Sequence, residues 1–400
     1  MATLGSVLIG LGDRRWVELP AEALALLEPL PPGPEFVGAL LEASRAEILQ
    51  GRDEAGVRYA ERALALAEEL GLDRPARALG HRGVARGGLG DPAGLEDMRE
   101  AITLATEAGQ GRGVANLHAN LGYLLWLFEG PAAFLEALHA GIAFAQSRGL
   151  ADFNTGGTLE ALVDCGELDE ALAVAAQFGD RLEASEAVWD LIVVRAVQAR
   201  ILTLRGQSAQ AAGSLGWLES RCRAAGSPDV AVGGLASSAL ARAALGQDEA
   251  AAALLAEIEA TPGAHGDISY GMFLPAMVRT ALAIGDADLA ARLVDGVEPH
   301  HPYTEHALVA AGAALAEARG AHQPAADAYV GAAERWERFG VVPEQGLALL
   351  GQGRCLLALG RPADATHALR TAREIFHMLK AAPALAETDA LLQQASAISS

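Results

Sequence analysis

The sequence predicts an all-α protein, a right-handed solenoid of about nine helix-turn-helix units with a C-terminal capping helix. Three observations predict it. First, glycine recurs on a long cycle: Gly51, Gly90, Gly130, Gly166, Gly206, Gly246, Gly285, Gly320 and Gly360 are spaced 39, 40, 36, 40, 40, 39, 35 and 40 residues apart. Each follows an apolar stretch, where a glycine in the left-handed conformation closes a helix without a Cβ penalty. Each is therefore expected to end the first helix of a unit. Second, hydrophobic residues make up 51% of the chain and aromatic ones only 5%, so the core is built of Ala, Leu and Val at close range, which favours helices over sheets. Third, the segments after the glycines carry single apolar stripes at helical spacing, each of which needs a neighbour to cover it.

Taken in order, residues 1–34 form a lead-in, read as one helix packed on the first unit. Its apolar stretch, Thr3 to Leu11, precedes Arg14 and Arg15, whereas a secretory signal places its positive charges first. The solenoid occupies 35–383. Its second helices open with acids at Asp53 and Glu54, Asp169 and Glu170, and Asp248 and Glu249, which offset the positive end of the helix dipole. Pro92, Pro131 and Pro362 stand at the same boundary in other units, where the missing N–H has no partner to lose. In the last unit Ala365, Leu369, Ala372, Phe376 and Leu379 step by four, three, four and three along one face. Residues 384–400 complete the chain as a capping helix, about Leu385 to Ile398, and a short tail. Because a unit of such an array touches only its neighbours, the particle is expected to be elongated or curved.

A period near 39 falls between tetratricopeptide and HEAT or armadillo repeats. Leu121-Gly122, Gly353, Ala365 with Leu369, and Ala325 with Tyr329 resemble the tetratricopeptide pattern, although its Trp and terminal Pro are mostly absent. Segments such as AERALALAEELGL from Ala60, GDPAGLEDMREAITLATEAG from Gly90 and the run from Gly353 to Leu392 resemble the C-terminal repeat regions of large bacterial regulators. Those proteins join a nucleotide cyclase or DNA-binding domain to an ATPase and then to such repeats. The resemblance spans roughly Glu35 to Leu392. It implies a sensor or scaffold and brings no catalytic residue.

Composition excludes several functions. Acidic residues outnumber basic ones 51 to 30, a formal charge of −21, which repels a phosphate backbone and argues against direct nucleic-acid binding. Mean hydropathy is +0.21, but no window approaches the roughly 18 apolar residues of a membrane span; the longest candidate, Val230 to Ala241, contains two serines. Cys165, Cys222 and Cys355 are too scattered for a zinc ribbon or disulfide framework. A cytoplasmic protein is the reading. Lys380 is the single lysine, so neither a P-loop nor Schiff-base chemistry is available. Gly10 and Gly12 lack the third glycine of a dinucleotide site. No cofactor is expected. His300, His301, Tyr303, Glu305 and His306 form the densest polar group, but their spacing matches no zinc motif, and Pro299 and Pro302 mark an extended linker.

The candidate site is the concave face. Arg45, Arg200, Arg279 and Arg354 each stand six residues before the glycine of their unit; Glu160 falls at that place and Tyr123 beside it. A column of guanidiniums suits a carboxylate, a phosphate or an acidic peptide. The favoured alternative is that each arginine pairs with a neighbouring acid and merely keeps the groove wet. On the first reading, changing Arg200 and Arg279 together to Glu abolishes anion binding and leaves the fold intact. Asn116, Asn120 and Tyr123 share one helix face, either to grip a peptide backbone or to fasten adjacent helices. Trp126 and Trp189 are core anchors.

These observations describe a binding module without catalysis. It recognises a peptide, a protein segment or a small anionic effector in its groove and serves bacterial signal transduction or transcriptional regulation. The alternatives are a self-associating scaffold and, third, a helical-toroid enzyme, against which the lack of clustered acids, aromatics or metal ligands counts.

Overall fold

In the computed structural model, which describes residues 2–149, 155–184 and 187–399, helix accounts for 82% of the chain and no strand is present among the described residues. Nine helix pairs follow one another. They are α3 (Pro34–Ile48) with α4 (Asp53–Glu69), α5 (Ala76–Gly88) with α6 (Ala93–Glu107), and α7 (Gly111–Glu129) with α8 (Pro131–Gln146). Next come α9 (Thr155–Asp164) with α10 (Leu168–Ala184), α11 (Val188–Leu204) with α12 (Ser208–Ala225), and α13 (Pro228–Ala244) with α14 (Asp248–Glu259). The last are α15 (Ile268–Ala283) with α16 (Ala287–Val294), α17 (Pro302–Ala318) with α18 (His322–Phe339), and α19 (Val342–Ala358) with α20 (Pro362–Leu379). The final helix, α21 (Ala382–Ser399), stands alone after them. All nine cyclic glycines lie between the two helices of a pair with positive φ.

The lead-in holds two helices, α1 (Ala2–Gly10) and α2 (Leu19–Leu27), joined by a short 3-10 turn, and not the single helix expected. Gly12, at φ 65°, stops the first, and Pro20 opens the second, where it needs no N–H partner.

Within a unit the two helices meet through small residues. Gly353 in α19 lies against Leu369 in α20, where a Cβ would come within 2.4 Å of a leucine methyl. Ala325, Ala365 and Leu369 are fully buried and Tyr329 nearly so. The tetratricopeptide-like residues thus make the seam, small on one helix and large on the next.

One expectation is corrected. Contacts are not confined to neighbouring units, because the superhelix is wound tightly enough for its turns to touch. A Cβ on Gly51 would lie 2.6 Å from the carbonyl oxygen of Gly263, just before the seventh unit; one on Gly90, 2.0 Å from that of His300, before the eighth; one on Gly130, 2.1 Å from that of Phe339, before the ninth. Each glycine turn of unit n thus meets the chain around the junction of units n+5 and n+6, while α7, α9 and α11 touch α17, α19 and α21, so between five and six units complete a turn. Gly166 and Gly206 continue the seam against Val342, Leu379 and Pro383, whereas Gly246, Gly285, Gly320 and Gly360 have nothing within 4 Å. Near the start of the seam, the indole N–H of Trp16 donates to the Ala225 carbonyl at 3.0 Å and the Ser227 hydroxyl to the Leu49 carbonyl at 2.7 Å. The stacked turns form a compact body with one free end, which carries the last four glycine turns.

Candidate functional site

The second turn closes on itself. The first helices α11, α13, α15, α17 and α19 stand side by side, and α21 follows α19 and returns to α11. Asp169 in α10 ties the closure, accepting from Arg205 at 2.7 Å and from Lys380 at 2.6 Å. Inside this ring of six helices is a cavity of about 720 Å³. It is open toward the free end, where Ala244, Ala283 and Ala318 are exposed on its wall.

Arg200 on α11, Arg279 on α15 and Arg354 on α19 all line this cavity, because equal offsets from the unit glycine put them at equal height on alternate first helices. Each is held by acids. Arg200 Nη2 donates to Asp164 Oδ1 at 3.0 Å, and Tyr303 OH donates to the other oxygen of that carboxylate at 2.9 Å. Arg279 makes two parallel bonds to Glu344, at 2.7 and 2.6 Å. Arg354 grips Glu317 with Nε at 2.6 Å and Nη2 at 2.9 Å, and reaches Glu387 on α21 with Nη1 at 2.9 Å. Tyr329 OH also donates to Glu317, at 2.6 Å. Burial works against the charge on Arg200, but Asp164, Tyr303 and Glu344 together outweigh it and hold the guanidinium above its usual range. The same balance, with Glu317 as the dominant partner, raises Arg354.

The other sequence candidates lie elsewhere. Tyr123 on α7 and Glu160 on α9 line a smaller chamber of about 140 Å³ with Trp189, Asp190 and Asp229. There the first turn of the superhelix meets the second through a side-chain hydrogen bond between Tyr123 and Ser269; within the second turn the Ser269 hydroxyl donates to Asp229, and its N–H to Asp267 at 2.9 Å. Burial, then the nearby Asp229, pushes Glu160 up to about 8. Burial also raises Asp229 and, with the Asp229 charge beside it, lifts Asp267 well above the carboxylate range. Arg45, 3.3 Å from Glu42, borders an apolar cavity of about 330 Å³ between α2 and α3. On α7, Asn116 is exposed and Asn120 half-buried, and neither borders the ring cavity. Trp126 is buried, in contact with Phe134 at a centroid distance of 5.2 Å, whereas Trp189 is only half-buried.

The histidine loop has local roles. His301 caps α17 by accepting from the Thr304 N–H at 3.3 Å, Tyr303 joins the Arg200 cluster, and His306 stacks edge-on against Trp336 and Phe339. Among the described residues no group of His, Cys, Asp and Glu has the arrangement of a metal site, and no helix is long and apolar enough to cross a membrane. Sequence reasoning missed Asp164, Glu317, Glu344 and Glu387, which hold the arginines, and Thr203 on the same wall, and gave Tyr329 only a place in the repeat pattern.

The architecture is a tetratricopeptide-like helical repeat. Among solved structures the chain is similar to that of the Cut9–Hcn1 APC/C hetero-tetramer, with TM-score 0.52 and 12% identity over 94% of this chain and 80% of that one. Weaker likenesses are to a Rap protein complexed with competence and sporulation factor, at TM-score 0.43 and 12% identity over 90% and 98% of the two chains, and to yeast Tom70, at 0.34 and 12% over 98% and 88%. No protein-family model matches the sequence, and no curated protein matches it.

Proposed function

We propose that this chain is a non-catalytic binding module that takes a short peptide segment or a small effector into the cavity of its second superhelical turn. The observation that carries this reading is the closed ring: six helices surround about 720 Å³, a volume in the range of small-ligand sites. In-register Arg200, Arg279 and Arg354 and their acid partners stiffen the wall. A closed ring admits a small molecule or a single extended strand of chain, not a folded domain. The likeness to Cut9, found in a hetero-tetramer with Hcn1, supports a wider role in protein assembly, in which the outer surface engages a partner and the cavity conditions that engagement. A place in cytoplasmic signalling or transcriptional control follows from the resemblance to the repeat regions of bacterial cyclase and ATPase regulators, and the free thiols of Cys222 and Cys355 suit that compartment.

The test is stabilisation by mass action, since a ligand at a hundred times its Kd adds about 2.7 kcal/mol to the folded state. The full chain is melted with pools of synthetic hexapeptides and with fractions of a small-molecule extract. At least one pool or fraction should raise its Tm, and the cavity-blocking Ala276→Trp chain should not respond. If no pool stabilises the parent, or if the blocked variant responds equally, the cavity is not the binding site.

A further inference from the structure

The wall of the ring cavity carries both signs of charge, and nearly all of that charge is already neutralised from within. Arg279 commits both terminal nitrogens to Glu344. Arg354 commits all three nitrogens to Glu317 and Glu387. Arg200 is held by Asp164. Both tyrosine hydroxyls are given to carboxylates, and Thr280 donates back to the Ala276 carbonyl at 2.8 Å. Asp248 stands exposed at the rim. An arriving anion would have to displace a bidentate carboxylate, and an arriving ammonium would have to displace a guanidinium. Either exchange breaks charge-assisted bonds that are already formed.

What the wall leaves free is apolar surface, from Leu204, Leu240, Met272, Phe273, Leu347 and Leu350. One polar exception stands among them. Thr203 lines the cavity, is 8% exposed, and its hydroxyl is the only buried polar side-chain atom on this wall, among the described residues, without a hydrogen-bond partner. An extended peptide would bring an N–H and a carbonyl with every residue, and this wall would leave most of them unmatched, at a penalty for each.

We propose that the occupant of this cavity is an uncharged, mainly hydrophobic small molecule carrying a hydrogen-bonding oxygen that meets Thr203. The proposal rests on the ring cavity being the binding site, and it narrows the occupant from peptide or effector to one chemical class.

The probes are Nile red, a neutral hydrophobic dye, and three amphiphiles of equal chain length: decan-1-ol, decanoate and decylamine. The full-length chain should enhance Nile red fluorescence with one dye bound per chain. Ala276→Trp should abolish that enhancement, as should Ala244→Trp, whose side chain is exposed at the mouth and cannot disturb the core. Decan-1-ol should displace the dye at about tenfold lower concentration than either charged analogue, because only these must carry a charge into the ring. Thr203→Val should weaken decan-1-ol about two- to tenfold, the worth of one hydrogen bond, with the helical signal unchanged. The proposal is overturned if decanoate or decylamine competes as well as the alcohol, or if the dye signal survives both blocking variants. A chain that ignores all four probes but is stabilised by a peptide pool in a manner sensitive to Ala276→Trp also overturns this assignment, and leaves the cavity as the binding site.

Discussion

Arg279 and Glu344 are 65 residues apart and meet through two parallel bonds. Glu344 is only 12% exposed, so removing its partner strands a carboxylate in a poorly hydrated place. Arg279→Met should therefore lose about 2 kcal/mol, less than a fully buried pair would because the guanidinium itself is partly solvated, and adding Glu344→Leu should recover most of that loss. Urea denaturation of the single and double variants measures both. A single variant as stable as the parent would show the pair to be solvent-like. The same geometry corrects an expectation from sequence. Changing Arg200 and Arg279 to Glu confronts Asp164 and Glu344 with like charge, so the double reversal should lower stability as well as change any binding; neutral paired swaps separate the two effects. The arginine column was legible because a constant offset from a helix-ending glycine fixes both height and face. The acids that hold it were not, since Asp164 lies two residues before its glycine, Glu317 three before, and Glu344 in the first turn of a helix. No common offset from a glycine marks them: Asp164 and Glu317 stand 36 and 37 residues before their arginines, on the preceding unit, whereas Glu344 stands 65 after its own.

The helices themselves were readable for a local reason: a helix ends where a left-handed glycine stops it, and the next begins where an acid or proline suits its first turn. What joins helices of different turns was hidden, and its most distinctive chemistry is acidic. Glu160 on α9 faces Asp229 on α13, with Asp164 also near. Asp229 lies close to Asp267, which also feels Asp53 at the start of α4. Tyr123 on α7 borders Glu160, Asp229 and Asp267, and Arg200 is the cation that acts on Glu160. Burial, then the Glu54 charge, lifts Asp53 to about 7, and Glu160 reaches about 8. For an acid whose folded value lies above its unfolded one, the folded chain holds more protons in between. The resulting stabilisation is complete at the acid end and is lost as pH rises through the folded values. Thermal stability should therefore fall from about pH 4, near the unfolded values, to about pH 8, where the last of these groups has ionised in the folded chain too, and Glu160→Gln should flatten that fall by keeping one side chain neutral throughout. A flat profile in the parent, or an unchanged slope in the variant, would mean that these carboxylates reach water.

At the scale of the whole molecule, a solenoid whose units touch only their neighbours unfolds as a one-dimensional array, and a local weakness can open one stretch while the rest stays folded. Stacked turns change that rule, because each of the first three units is also held by the chain five to six units later. The coupling passes through glycine turns so close to the opposite backbone that no side chain fits: a Cβ at Gly90 or Gly130 would meet a carbonyl oxygen at 2.0 or 2.1 Å. Gly285 is the matched control, with a positive φ of 81° but open space around it. Alanine there should lose only the conformational penalty, about 1–2 kcal/mol, and the chain should still melt in one step. Alanine at Gly90 and Gly130 together suffers that penalty twice and must also push the turns apart, so the loss should exceed about 4 kcal/mol. The form of the transition is the sharper readout. With the seam broken, urea unfolding followed by circular dichroism and by tryptophan fluorescence should separate into two transitions, and the radius of gyration before the first should rise as the coil loosens. If the double variant kept one coincident transition and the parent's radius, the inter-turn seam would add nothing to cooperativity, and the molecule would behave as the simple array its sequence suggests.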